Sequence, residues 1–245
     1  FRDTCSAGHM IFTRFRERLL RELEQRSEDF PALLAETAAF TADTRRELRE
    51  GRDRLLERNS CDPEKAAQLI DAITTHETTF FRDRSPYEAL LNKAIPESLD
   101  ARSRSGQKRK LRVWSAACSS GQEPYSIAMI LLELVPDANN WDIEILATDI
   151  SKGTVDRASS GIYSAVEAHR SERPDLMRKH FAEIDCGWRV SNKVRQLCRF
   201  EVCNLLAPLT GKGPFDIVFC RNVGIYFDQE TRGEMFRRIA RVMCP

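Results

Sequence analysis

Four short stretches of this 245-residue chain carry residue types whose spacing could do chemistry. The first, WSAACSSGQEPY over Trp114 to Tyr125, sets small residues and Gly121 just before a helix start. Small side chains let a ligand approach the backbone, and a helix N-terminus offers free N–H groups. The turn lacks the G-x-G-x-x-G spacing of a dinucleotide fingerprint. A cationic cofactor with a carboxylate tail needs fewer backbone contacts and favours an acidic neighbour. Glu123 supplies that charge; its bland alternative is merely to complement the helix dipole. The second stretch, ATDI over Ala147 to Ile150, puts Asp149 at the end of an apolar run. A carboxylate there can accept from both hydroxyls of a ribose; its bland alternative is a helix N-cap. The third, TTHETTFFRD over Thr74 to Asp83, gathers the hydroxyls of Thr75 and Thr78 with His76 and Arg82 around two packed phenylalanines. Arg82 has a fixed charge and can hold a carboxylate bidentately. The fourth, FCRNVGIYFD over Phe219 to Asp228, places Arg221 and Asn222 just past an apolar run. Doubly wound sheets put ligands at that end of a strand.

The elements that must position these residues are readable from Leu111 onward. Val113 to Ala117 fits a buried strand, and Pro124 opens a helix with Ile127, Ile130, Leu131 and Leu134 on its apolar face. Ile143 to Thr148 is the next strand; Ser151 caps a helix that stops at Gly161. Strand, helix, strand, helix with short turns means a parallel sheet with right-handed crossovers. Phe215 to Cys220 is a further strand. Asp228 is a good N-cap for a last helix with Met235, Phe236 and Ile239 on its inner side. Between Gly161 and Phe215 the rhythm breaks. Ser171 to Phe181 reads as a helix, Trp188 to Val190 and Phe200 to Val202 as strands, and the middle of this stretch as an insertion. Residues 11 to 72 read as helices, with apolar residues at three- and four-residue steps. The run RSRSGQKRKLR over 102 to 112 reads as a linker.

Composition narrows the function classes. Lys+Arg 38 against Asp+Glu 37 leaves a net charge of +1, which argues against whole-surface attraction to nucleic acid or anionic lipid. Arg45, Arg46, Arg49, Arg52, Arg54 and Arg58 interleave with Glu47, Glu50, Asp53 and Glu57. Residues 1 to 72 hold 13 Lys+Arg against 15 Asp+Glu, a net of −2. That pattern makes an ion-paired solvated face or a docking face for an acidic protein partner. The longest apolar stretch, Ile127 to Val135, is half a membrane span and contains Glu133, so no transmembrane helix is expected. No signal peptide opens the chain, and Gly8-His9-Met10 looks like a cloning scar. The eight cysteines form no C-x-x-C pair, and the four histidines complete no zinc spacing. The expectation is reduced thiols, no metal and a cytoplasmic location.

Taken together, the four stretches resemble the CheR family of chemotaxis receptor methyltransferases. The family's T-x-F-F-R, W-S-A-A-C-S-x-G-x-E-P-Y-S-I-A, A-T-D-I and F-C-R-N-V-x-I-Y-F blocks stand here at Thr75 to Arg82, Trp114 to Ala128, Ala147 to Ile150 and Phe219 to Phe227, in the family's order. The resemblance covers about residues 64 to 245. It implies an α/β fold: a Rossmann-like, S-adenosylmethionine-dependent methyltransferase sheet with a small inserted antiparallel β-subdomain, preceded by an all-α N-terminal domain. The expected boundaries are a helical domain over 11–72, a connecting segment and linker over 73–110, and the cofactor-binding domain over 111–245, with the insertion over about 164–203. The implied reaction is methyl transfer from S-adenosylmethionine to glutamate side chains on the cytoplasmic helices of chemotaxis receptors, leaving S-adenosylhomocysteine. By matching positions, the implied cofactor contacts are His76, Thr78, Arg82, Glu123, Asp149, Asn204, Leu205, Arg221 and Asn222, with Asn204 and Leu205 flanking the adenine. Arg82 and Tyr226 are the implied catalytic neighbourhood. A monomer without nucleic-acid partners is expected.

The sequence departs from the family at several points. His76 stands where many members have Asn, and Gly224 stands in the Ile-Tyr block where many have Met. Cys186 to Phe200 shows only Gly187 of the glycine-bearing loop that binds a receptor's C-terminal pentapeptide in some members, so no such tether is expected. The chain stops at Pro245, where the family continues into a last β-hairpin. Two other readings stay open: a methyltransferase acting on another substrate, and a non-catalytic scaffold that keeps the cofactor.

Overall fold

The computed structural model describes residues 77–105, 109–135 and 141–244. The chain divides into two compact units, Phe1–Thr75 and His76–Pro245, and the described residues belong to the second. The helices expected over 11–72, and His76 itself, lie outside the described residues.

The described chain opens on a helical stretch that the sequence presents only as a connector. Helix α1 (Arg84–Ala89) passes through a π-helical turn, Leu90–Ala94, into α2 (Ile95–Ser105). Pro96 has no N–H to offer the preceding turn, and the wider π turn just before it absorbs that mismatch. The turn also shifts the phase of the buried residues Tyr87, Leu90 and Ile95, which hides the helical period. Of the run over 102–112, the described residues up to Ser105 end α2 and those from Lys110 begin the first strand.

Strand β1 (Lys110–Ala116) leads through the Ala117–Gly121 turn into α3 (Gln122–Leu134). Strand β2 (Asp142–Asp149) then gives α4 (Lys152–Ser160). Its ends match the chemistry read from sequence: Ser151 accepts from the Thr154 N–H, and Gly161 closes the helix in the left-handed conformation. There follow β3 (Ile162–Tyr163), α5 (Ala165–His169), α6 (Pro174–His180), β4 (Phe181–Ile184), β5 (Gly187–Val190) and α7 (Asn192–Arg195). The chain completes with β6 (Cys198–Val202), β7 (Ile217–Cys220), a 3₁₀ turn at Gly224–Tyr226, and α8 (Gln229–Ala240), capped by Asp228.

Strands β6-β2-β1-β7 form a parallel sheet in that order, and β3-β5-β4 form a separate antiparallel sheet. The chain thus runs outward from β1 through β2 to β6, then crosses back to place β7 on β1's other side. That reversal is where a doubly wound sheet opens a crevice at its carboxyl edge. Two of these facts differ from the sequence reading. β6 is an edge strand of the main sheet, with Ile145 opposite Cys198 and Asp149 opposite Val202, so the antiparallel sheet ends at Val190. Phe236 on α8 is 46% exposed, whereas Met235 and Ile239 are buried; four residues apart, those two define the inner stripe and leave Phe236 beside it.

Both faces of the parallel sheet are covered, as such sheets require. One face carries Leu111, Val113, Ile143, Ile145, Ile217 and Phe219 against α3 and the segment around Phe80, Phe81 and Tyr87. The other carries Trp114, Ala116 and Leu146 with Leu205, Leu209 and Phe215 under Met235 and Ile239 of α8. Trp114 stacks on Phe215, ring centroids 5.3 Å apart, and its indole N–H donates to Thr148 Oγ1 at 3.0 Å. The sheet is therefore pinned a residue or two below its functional edge.

Candidate active site

The β1 turn, the end of β2, the end of β7 and the Phe80–Asp83 loop carry most of the residues singled out by sequence. Five non-glycine residues among those described have left-handed backbone: Phe81 and Asp83 (φ 58°), Ala117 (62°), Ser119 (50°) and Asn222 (56°). All five lie in these loops. Such conformations cost of order 1–3 kcal/mol each and persist where surrounding packing fixes them, often at functional sites. Gly121 (φ 93°) needs its lack of a side chain twice over, since a Cβ there would stand 2.8 Å from the Tyr163 hydroxyl and 2.9 Å from Ala158 Cβ.

Glu123, in the first turn of α3, is 9% exposed. Ser115 Oγ on β1 donates to its Oε1 at 2.8 Å, and Arg221 Nη1 donates to its Oε2 at 3.2 Å. Burial raises its carboxyl above the ordinary carboxylate range, against the opposing pull of Ser115, Arg221 and Arg82. Arg221, at the end of β7, also donates through Nη2 to Asp83 Oδ2 (2.7 Å) and to the Arg82 carbonyl (2.8 Å). Its guanidinium lies 5.6 Å from the Tyr87 ring centre. One cation thereby ties three segments distant in sequence: the Phe80–Asp83 loop, the start of α3 and the end of β7. Arg82 donates to the Glu77 carbonyl at 2.6 Å. The hydrogen-bonding surroundings of Asn222 turn its amide oxygen toward Arg82, accepting from Nε and Nη1 at 3.3 Å. The Phe81 N–H is held by Ser126 Oγ at 3.0 Å, which fixes the loop against α3.

Asp149 closes the other side of the turn. Its Oδ2 accepts from the Ser119 N–H (2.8 Å) and its Oδ1 from the Ser151 N–H (3.1 Å). The helix cap is made by Ser151, so the N-cap alternative for Asp149 falls away. An ionised carboxylate offers about four lone-pair positions. Two backbone bonds orient this one and leave each oxygen capacity for one more donor. The N-terminus of α3 carries no side-chain cap, so its first amides are free of that competition. The thiols nearby stay protonated. Burial, with Asp149 and Glu123, raises Cys118, and burial and Glu123 push Cys220 up to about 11. Neither is a thiolate at neutral pH, so neither competes as a nucleophile.

Arg82, Glu123, Arg221 and Asn222 are thus joined in one network, with Asp149 on the adjoining side of the turn. Asn204 follows the Cys203 N–H, which donates to the Asp149 carbonyl at 2.8 Å; its own Oδ1 accepts from the Leu206 N–H at 2.9 Å. Leu205 is 6% exposed, its side chain buried with Trp114 and Leu146. Thr78 is half-buried, and Tyr226 stands 51% exposed in the 3₁₀ turn beside Ile225. A Cβ at Gly224 would meet Arg232 Cδ at 3.3 Å and the Phe236 ring at 3.7 Å. Sequence reasoning missed Ser115, Asp83, Tyr87 and Tyr163. Ser115 and Asp83 lie inside the quoted motifs, but nothing local marks them as partners of Glu123 and Arg221.

The chain is similar to known proteins. The family model described as CheR methyltransferase, SAM binding domain matches residues 76–245. A second, RNA polymerase recycling family C-terminal, matches residues 1–83. A probable chemotaxis protein methyltransferase of Rhizobium etli is 38% identical over 180 residues, covering 72% of this chain and 66% of that protein. The chemotaxis protein methyltransferase Cher2 of Pseudomonas putida is 40% identical over 184 residues, covering 73% of this chain and 65% of its own length. A chemotaxis protein methyltransferase of Vibrio parahaemolyticus is 35% identical over 228 residues, covering 90% and 76%. The chain spans just under two thirds of the length of the first two.

Proposed function

The chain belongs to the CheR methyltransferase family, and from that premise we propose that it methylates glutamate side chains on the cytoplasmic helices of chemotaxis receptors. Its residues 76–245 form an S-adenosylmethionine-binding domain, so the cofactor class is given. The acceptor, the residue roles and a cytoplasmic location are the proposal. No helix among the described residues is long and apolar enough to cross a membrane.

The observation that carries the reading is the pairing of a buried acid, Glu123, with a ribose-type acid, Asp149, on either side of a cramped glycine turn. The donor set fits the cofactor's chemistry. Glu123 would meet its ammonium group, Arg82 its carboxylate, and the remaining lone pairs of Asp149 its two ribose hydroxyls. Asn204 and the Leu205 backbone would flank the adenine, and Asn222 would keep Arg82 in place. Thr78 would complete the pocket.

When bound, S-adenosylmethionine supplies a methyl group already activated by its sulfonium. The acceptor glutamate is already nucleophilic at neutral pH, so the protein need supply no general base. The methyl would pass to an acceptor oxygen, leaving S-adenosylhomocysteine as the other product. What remains for these residues is in-line positioning, with up to about 7–11 kcal/mol available from orientation. The exposed Tyr226 would help place the incoming carboxylate, with Arg82 engaged on the cofactor's own. The burial of Cys118 and Cys220, each near Glu123, keeps these two thiols protonated.

The test is transfer of labelled methyl to a receptor cytoplasmic fragment. The expected product is an alkali-labile ester that disappears when the acceptor Glu becomes Gln, and Arg82→Ala should lower turnover. A chain that binds S-adenosylhomocysteine but gives no label, or only alkali-stable label, overturns the assignment of the acceptor.

A further inference from the structure

Tyr163 belongs to the antiparallel sheet, yet its hydroxyl ends in the turn that follows β1. It donates to the Ser120 carbonyl at 2.8 Å. The same oxygen stands 2.8 Å from the position a Cβ of residue 121 would take, so it forms one wall of the space that only glycine fits. The Tyr163 ring meets Phe80 edge-on, centroids 4.9 Å apart and planes at 79°. Phe80 is fully buried, also touches Phe181 of β4 at 5.2 Å, and lies two residues before Arg82. One buried side chain therefore touches both loops to which the proposed site assigns the cofactor. Burial, with neighbouring Tyr125, raises the Tyr163 hydroxyl far above its ordinary range, so it remains a donor across the working pH range.

We propose that Tyr163 is a positioning residue: it holds the Ser119–Gly121 turn and the Phe80–Arg82 loop in the arrangement that accepts the cofactor. Because Tyr163 pairs with Trp188 across β3 and β5, the same side chain links that arrangement to the antiparallel sheet. This inference rests on the reading of the turn as the S-adenosylmethionine site. Tyr125 provides a matched comparison. Its hydroxyl makes the same kind of buried bond, to the Ala158 carbonyl at 2.9 Å, but to the end of α4 rather than to the turn. A tyrosine that only stabilised the fold would behave as Tyr125 does.

The test is calorimetric titration with S-adenosylhomocysteine of the whole chain and of Tyr163→Phe and Tyr125→Phe, with melting temperatures measured in parallel. Both variants should melt lower than wild type, by similar amounts. Tyr163→Phe should weaken binding about 3- to 10-fold, the range for one lost hydrogen bond, and Tyr125→Phe should leave it unchanged. Equal affinity in Tyr163→Phe and wild type, or an equal loss in both variants, overturns the proposal. Should Tyr163→Phe be too unstable to titrate, the rise in melting temperature at saturating ligand decides. A rise smaller than that of Tyr125→Phe supports positioning, and an equal rise overturns it. A folded wild type that binds nothing overturns the reading of the turn itself, an outcome visible without any variant.

Discussion

Replacing Arg221 by alanine should destabilise the His76–Pro245 unit through a route that leaves a signature in pH. The Arg221 side chain is 16% exposed and its partner Glu123 11%, whereas Asp83 is 60% exposed. The exposed Asp83 pair is screened and contributes at most about 1 kcal/mol. The buried Glu123 pair behaves differently, because removing one partner strands a charge, at a cost of about 3–5 kcal/mol. Ser115 still donates to Glu123, and the carboxyl can take up a proton, so the lower end, about 3 kcal/mol, is expected. For a domain of this size that lowers the melting temperature by roughly 6–12 °C. Burial already raises the Glu123 carboxyl, and losing the guanidinium raises it further. A carboxyl raised in the folded state costs stability as pH climbs through its unfolded value toward its folded one, and costs nothing once both states are protonated. The Arg221→Ala penalty should therefore shrink on acidification. In the double variant with Glu123→Gln about half of it should return at neutral pH, since a neutral amide needs no cation. Urea unfolding at two pH values, on the single and double variants, measures this. A neutral-pH penalty below about 1 kcal/mol, or one that does not change with pH and is not relieved by Glu123→Gln, would refute the reasoning.

Two further outcomes follow from the same geometry. Because Glu123 must be ionised to meet a cationic group, affinity for S-adenosylhomocysteine should fall on acidification with a midpoint above the ordinary value of 4.5; titration across pH should show this limb vanish in Glu123→Gln. Asp228→Ala removes the acceptor for the Thr231 N–H at the start of α8. It should cost about 1 kcal/mol of stability while leaving that affinity unchanged, which thermal melting and calorimetry together would check.

Local chemistry made some elements legible and distance hid others. α4 was readable at both ends because Ser151 and Gly161 each solve a problem of their own turn. Glu123, Asp149, Arg82 and Arg221 are legible only as a set: each alone has an ordinary structural reading, but together they fall at the turns and strand ends where doubly wound sheets place ligands. The partners that give these residues their geometry were not readable. Asp83 meets Arg221 from 138 residues away and Tyr163 reaches Ser120 across 43, and no periodic pattern encodes such meetings. The sheet membership of β6 was hidden for the same reason: its five residues announce a strand but not that its neighbour is β2. The helical stretch over residues 84–105 was hidden differently, because the π turn at Leu90–Ala94 breaks the period that betrays a helix.

The proposed site turns on Asp149, which, oriented by the Ser119 and Ser151 amides, would grip the hydroxyls of the cofactor's ribose. Calorimetric titration with S-adenosylhomocysteine, in wild type and Asp149→Ala, tests it most directly. Wild type should bind in the micromolar range and the variant at least about tenfold more weakly, the equivalent of one charge-assisted hydrogen bond. Undiminished binding by a folded Asp149→Ala chain would contradict it.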